Sequence, residues 1–380
     1  MKKQKPKPME ATISRFEPRN GVSEYHLIIH SMKSGLSFDD QLESLFSLFE
    51  LVCKYEIKES TVVFQRFFLS DAANQMNKLL EYLPENKSNI SIIEQPPLNG
   101  SKIAMWAYLQ TKMKVVNNPY VPELFALKHR KYLHLWKGTA INPMKDSEWQ
   151  MNTLLKAYMA QLEQYHCTLA DHCIRTWIFV QNVDVNYGGI VKARRELFAE
   201  NGLTDKTHYI ASTGISGRHA DPKATVVFDA YSVKGLQPEQ IQYLHAATHL
   251  SPTHYYGVTF ERGVCIHYGD RRHVFISGTA SIDHQGKIVH EGDVVKQTFR
   301  TIENVETLLQ EAGCEWKDVS YMIIYMRDIA DYKAIKTIFK RQFADVPKVF
   351  VLASVCRPGW LVEMECMAIR HQKNNTFDPL

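Results

Sequence analysis

Two hydrophobic periods alternate along the C-terminal third of the chain. "HVFISGTASID" (273–283) is a run of strand formers ending at a glycine-containing turn. "DVVKQTFRTIENVETLLQEAG" (293–313) then places Val294, Val295, Thr298, Ile302, Val305 and Leu309 at helical spacing, with Gly313 where a C-terminal cap belongs. "DVSYMIIYMRDI" (318–329) reads as a strand and "DYKAIKTIFKRQF" (331–343) as a second amphipathic helix. "KVFVLASVC" (348–356) and "WLVEMECMAI" (360–369) close the unit as two strands, so the predicted order is β–α–β–α–β–β.

The same rhythm occurs twice more. In the middle third "YLHLWKGTAI" (132–141) lies over "HVFISGTASI", setting Gly138, Thr139 and Ala140 against Gly278, Thr279 and Ala280. Gln150 falls on Gln297, Cys167 on Cys314, and the turn after "IRTWIFVQNVDVNY" ends at Tyr187, opposite Tyr332. "IASTG" lies over "LASVC", and "ATVVFDAYSV" over the last strand. The first third is more diverged: "QLESLFSLFELV" puts Gln41 over Gln297, "STVVFQRFFLSDA" and "NQMNKLLEYL" supply a strand and a helix, and "ISIIEQPP" with "SKIAMWAYL" closes the unit. A repeat of this size predicts three small domains: residues 22–121, 122–245 and 246–380 after a leader at 1–21, with linkers at 117–123 and 234–242. A sheet with both helices on one face needs cover on the other. Three such sheets cover one another around a pseudo-threefold axis, so the expected fold is α+β, a single-chain pseudo-trimer with candidate sites at the seams.

Composition narrows the class. Net charge is +4, and four lysines of "MKKQKPK" sit in the leader, which is expected to be disordered rather than a signal peptide because it has no apolar core. The chain carries neither a basic stripe nor an aromatic platform motif, so nucleic acid is not the expected partner. It has no apolar run of spanning length, so no membrane partner is expected either. Seven cysteines without a CxxC pair fit reduced thiols and a cytoplasmic location. "HCTLADHC" (166–173) packs its four potential ligands into eight residues, whereas structural zinc sites use separated pairs, so a helix end running into a strand is the better reading. Nucleotide-cradling glycine patterns are absent, and no cofactor is expected.

These segments together resemble the RidA/YjgF (Rid) superfamily, also known as the endoribonuclease L-PSP or "translation initiation inhibitor" family. The match runs end to end through the third module, more weakly through the second, and in the first only as pattern. Its members are usually homotrimers with active sites between subunits, so the resemblance implies a trimer fused into one chain, needing no partner to complete its core. The three-module layout, "FISGTASI", "HEGD" (290–293) and "CRPGWLVEME" are similar to the chorismatases, which hydrolyse chorismate and release pyruvate. Ordinary Rid enzymes hydrolyse enamines and imines instead. These hold the substrate carboxylate with an arginine in a "PARS"-like segment; "PKVF" stands here, with Lys348 taken as the replacement, a point charge in place of a planar fork.

The resemblance also implies a role for one acid. Strand alternation puts Glu363 and Glu365 on one face of "WLVEMECMAI", opposite the apolar Val362, Met364, Cys366 and Ala368. Glu363 matches the family's terminal-strand acid, and its counterparts in the sister modules are Val227 and Ala104; those of Glu365 are Asp229 and Trp106. An acid present in one copy of three suits a single functional site. Burial at a seam would keep it protonated near neutral pH and able to act as a general acid. Glu365 is read as its structural neighbour. The substrate, a small organic acid, needs cations: Arg357, Arg262, Lys348 and Arg327 are the candidates, with Cys356 close by and read as a buried thiol. "ASTGISGRHADP" (211–222) is read as a pocket wall, and His254 and Tyr256 as residues able to reach the pocket. The expected activity is that of a hydrolase, chorismatase-like in the first instance and imine deaminase in the second. A non-catalytic ligand- or RNA-associated role is the remaining alternative.

Overall fold

The computed structural model describes residues 9–380 apart from 34, 86 and 88. Its first module comprises β1 (Met9–Phe16), β2 (Glu24–Ser31), α1 (Phe38–Tyr55), β3 (Ser60–Leu69), α2 (Ala72–Glu81), β4 (Ile90–Glu94) and β5 (Ile103–Thr111). The second contains β6 (Lys114–Val116), β7 (Phe125–His129), β8 (Tyr132–Ala140), α3 (Ser147–Glu163), α4 (Leu169–His172), β9 (Cys173–Val180), α5 (Val183–Glu200), β10 (Ala211–Ser216) and β11 (Val226–Lys234). The third contains β12 (Ile241–Leu244), β13 (Gly263–His267), β14 (Arg271–Ala280), α6 (Val294–Glu311), β15 (Val319–Met326), α7 (Tyr332–Gln342), β16 (Lys348–Leu352) and β17 (Val362–His371). Each module forms its own sheet, ordered β1-β2-β5-β3-β4, β10-β9-β11-β8-β7-β6 and β12-β13-β14-β17-β15-β16. Every sheet has one parallel pair (β3/β4, β9/β10, β15/β16), and its other pairs are antiparallel. The β–α–β–α–β–β order is complete in all three, the first included.

The extra strands lie where the sequence pattern was weakest. Residues 1–8 of the expected leader fall outside the described residues, but the rest of that segment is corrected: Met9–Phe16 pairs along its whole length with β2. Its alternating Met9, Ala11 and Ile13 pack against the module-one core, a signal hidden beside the lysine run. The chain passes between sheets at 112–113 and 235–240, earlier than the linker at 117–123 and inside the one at 234–242. Both crossings hold a left-handed residue, Lys112 (φ 57°) and Gly235 (φ 98°). A Cβ at Gly235 would sit 2.6 Å from the Lys131 carbonyl oxygen, so this turn requires glycine.

Three glutamines explain why the repeat kept its shape. Gln41, Gln150 and Gln297 lie in the first turns of α1, α3 and α6, and all are fully buried. Their side-chain oxygens accept from the backbone N–H of Lys102, of Thr225 and Val226, and of Leu361. Each thereby ties the start of a helix to the start of its module's last strand. Four residues earlier, Ser37, Asp146 and Asp293 cap the same helices.

The central faces of the sheets meet in one core that joins Phe64 and Trp106, Trp136 and Trp177, and Phe275 and Tyr321 from the three modules. Backbone bonds close the ring: Glu94 N–H to Arg218 O (2.9 Å), Ser216 N–H to Ser354 O (3.0 Å) and Leu352 N–H to Pro96 O (2.8 Å). Buried ion pairs cross the same seams: Arg66–Asp229 (3.0 Å), Arg175–Glu365 (2.9 Å) and Arg271–Glu24 (2.6 Å). Among the described residues no helix is long and apolar enough to cross a membrane.

Candidate active site

Strand register settles the comparison of the three copies. Val362, Val226 and Ile103 pair with Met326, Val180 and Leu69 at the ends of the three middle strands. Glu363 therefore occupies the place of Val227 and Ala104, and Glu365 that of Asp229 and Trp106. On β17 the two glutamates face the centre, and alternation turns Met364, Cys366 and Ala368 toward α6, which packs on β14 and β17.

The two acids have different surroundings. Glu365 receives hydrogen bonds from Arg175 Nη2 (2.9 Å), Trp177 Nε1 (2.9 Å) and Thr213 Oγ1 (2.5 Å), and Arg66 approaches it at 3.8 Å. Glu363 is 5% exposed, and its Oε1 has no hydrogen-bond partner. Burial pushes its pKa up to about 8, aided by the charge of Glu365 and opposed by Arg175 and Arg262. The carboxyl is thus held neutral at pH 7. Gly278 makes room for it: a Cβ there would lie 2.2 Å from Glu363 Oε1. The Gly278 N–H donates to Thr213 Oγ1 at 2.9 Å, linking the cavity floor to the Glu365 network.

Glu363 lines a tight cavity of about 30 Å³ at the seam of modules two and three. Arg262, Arg357 and Cys356 line it as well, so four of the six residues singled out from sequence converge there. Arg262 donates to the Ser251 carbonyl (2.9 Å) and lies over the Tyr256 and Phe260 rings. Arg357 donates to the Tyr256 carbonyl (3.0 Å) and lies over the Tyr256 and Trp360 rings, 4.6 and 5.2 Å from their centroids. Trp360 fixes that loop by donating its Nε1–H to Ser281 O at 3.0 Å. Burial raises the Cys356 thiol to about 12, which keeps it protonated and unreactive. Ser212 and Gly214 form part of the wall, on β10 rather than in a loop. Tyr256 reaches the cavity, whereas His254 is exposed and packs edge-on against Tyr255.

Lys348 and Arg327 do not reach it. The Lys348 ammonium is turned onto the carbonyls of Phe343 (2.6 Å) and Val346 (2.8 Å), on a different seam. Letter by letter, the arginine of "PARS" falls on Val349, a buried apolar residue. Arg327 bridges modules two and three outside the cavity, binding the Asp184 carboxylate at 2.6 and 2.7 Å. In "HCTLADHC", both cysteines are buried and His172 Nδ1 accepts from the Thr168 N–H. Among the described residues no group of three or more His, Cys, Asp or Glu side chains could hold a metal ion.

Module two supplies two residues that sequence reasoning missed. Tyr187 and Arg194, two turns apart on α5, both line the cavity. Arg194 is 3% exposed, its Nε 3.3 Å from Thr259 Oγ1 and its Nη1 3.4 Å from Ser212 Oγ. Burial lowers its pKa, and no carboxylate lies within ion-pair distance of Arg194, Arg262 or Arg357 among the described residues. A signal was present: Arg194 stands on the stripe of Ile190, Leu197 and Phe198, where helical periodicity calls for an apolar side chain. Three cations without counter-ions thus stand beside a neutral carboxyl in one cavity.

Comparison with known proteins agrees with the fold. The Endoribonuclease L-PSP family profile matches residues 261–370. The chain is 32% identical over 97 residues to 3-aminoacrylate deaminase RutC of Acinetobacter baylyi, covering 77% of that protein and 25% of this chain. It is 30% identical over 99 residues to a RutC family protein of Pyrococcus abyssi, covering 78% of that protein and 26% of this chain. A solved chorismatase superposes with a TM-score of 0.66 at 15% identity, over 91% of this chain and 98% of the chorismatase.

Proposed function

We propose a hydrolase acting on an organic acid, from the premise that this chain belongs to the RidA/YjgF (endoribonuclease L-PSP) superfamily. Its preferred substrate, on our reading, is an enolpyruvyl ether carrying more than one carboxylate, of which chorismate is the representative. The observation that carries this is Glu363: a neutral, buried carboxyl with a free oxygen, facing three arginines that have no counter-ion. Guanidinium groups pair with carboxylates through parallel N–H donors, and two separated carboxylates use such a set better than one does.

The chemistry then follows from proton positions. Glu363 gives its proton to the terminal methylene carbon of the enol ether, leaving positive charge on the ether-bearing carbon. The carboxylate so formed faces that cation and stabilises it while water adds. It then accepts a proton from the added water, and the hemiketal collapses to pyruvate and an alcohol. One water is consumed, and the acid is restored. Arg194, Arg262 and Arg357 hold the substrate carboxylates so that the methylene stays against Glu363.

The test is pyruvate release from chorismate by the whole chain. Glu363→Gln is expected to lower kcat by about 10²–10⁴-fold with KM nearly unchanged. Absence of pyruvate from the wild-type protein, or full activity in Glu363→Gln, overturns the reading. The similarity to a 3-aminoacrylate deaminase supports a second reading, because the same acid would protonate an enamine. Ammonia release from 2-aminoacrylate, lost with Glu363, would favour it.

A further inference from the structure

We propose that the seam between modules three and one is a second, non-catalytic binding site for a small organic dianion, held by Lys336 and Lys340 with Lys348 as a fixed positive charge beside them. The argument begins from the pseudo-symmetry. In the site described above, Ala280 of β14 pairs with Glu363 of β17, and α5 contributes Tyr187 to the cavity. At the seam of modules three and one, His30 of β2 pairs with Ala104 of β5, and α7 contributes Tyr332, the counterpart of Tyr187. A cavity of about 430 Å³ opens there, bounded by His30 and Tyr332. The fold has thus kept a pocket at this seam, while the position equivalent to Glu363 is the fully buried Ala104, outside its lining.

Its charge is one-sided. Lys336 and Lys340 lie one helical turn apart on α7, and both line the cavity with Lys348 of β16. Like charges at this spacing destabilise a helix unless something lies between them. None of the three has a carboxylate within ion-pair distance among the described residues; the Lys348 ammonium donates to the carbonyls of Phe343, Ala344 and Val346, so it contributes charge and leaves the donors to Lys336 and Lys340. The one acid in the lining, Glu10, is drawn to His30 Nε2 at 3.6 Å. Met32, Val349 and Phe350 supply an apolar wall beside the ammonium groups. Ammonium groups facing a hydrocarbon wall suit a ring or short chain bearing two carboxylates better than an inorganic ion. The seam of modules one and two makes the contrast: its pocket sets Lys87 and Lys137 against Glu85 and Glu123, a balanced lining with no excess for an anion.

The experiment is calorimetric titration of the full chain with isophthalate, a ring with two carboxylates, alongside Lys336→Gln/Lys340→Gln and Lys336→Arg/Lys340→Arg. A binding event that weakens about tenfold in the glutamine pair, persists in the arginine pair and survives Glu363→Gln supports the site. An isotherm unchanged by the glutamine pair overturns it. So does displacement of isophthalate by an equal concentration of inorganic phosphate, which would mean simple counter-ion condensation. Both lysines are on the surface of one helix, and thermal melting of each variant verifies that the fold is kept.

Discussion

In the proposed role Glu363 donates a proton only while it is neutral, so activity and stability are expected to fall together as pH rises. With a folded pKa near 8, kcat is expected to hold across neutral pH and fall as pH rises through about 8, which a pH–rate profile measures. The stability sign follows from proton linkage. The folded pKa lies above the unfolded value of 4.5, so the folded state binds the extra proton between the two. This contribution is fully present below about 4.5 and is lost as pH climbs through 8, at a total of order 3–5 kcal/mol. Glu363→Gln should therefore raise the thermal midpoint at pH 9 and change it little at pH 5. Gly278→Ala probes the same carboxyl sterically: the new Cβ displaces Glu363 Oε1, and pyruvate release should fall about 10²-fold in a protein that still folds. At this scale the sequence was most informative where one copy of a repeat broke its own pattern. Glu363 stood out against Val227 and Ala104. Arg194 was missed because no sister arginine marks its position, and beside Lys192 and Arg195 it reads as part of a solvated basic face.

The elements show which features the fold itself requires. Gln41, Gln150 and Gln297 recur because each joins a helix start to a last strand, and replacing any by alanine orphans a buried backbone N–H at about 1–3 kcal/mol. Denaturant titration should find comparable losses for all three. Only Gln297→Ala should also slow turnover, since its bonds to Gly359 and Leu361 fix the loop that carries Arg357 and Trp360. Helices and central strands were legible because their periodicity is long and their faces are buried. Short edge strands such as β1, β6 and β12 were not, because three to eight residues of alternation look the same in a loop.

Across the whole molecule the modules share one core and are stitched by buried charges, so they should not unfold singly. Tryptophan fluorescence and far-ultraviolet circular dichroism are expected to report one coincident transition. Arg66→Ala leaves Asp229 unpaired and weakens support for Glu365, and should cost about 3–5 kcal/mol. Three similar modules could be counted from sequence. The charges that join them could not, since Arg66, Asp229 and Glu365 lie in different repeats and only the closed ring brings them together. The two short crossings, with Lys112 and Gly235 in left-handed conformation, carry a consequence of their own. In a trimer of separate chains, assembly depends on the cube of the free subunit concentration, and dilution takes it apart. Here each module is held beside its neighbours by a few residues, so assembly is intramolecular and independent of how much protein is present. A chain made at a few copies per cell would be as fully assembled as one made in abundance.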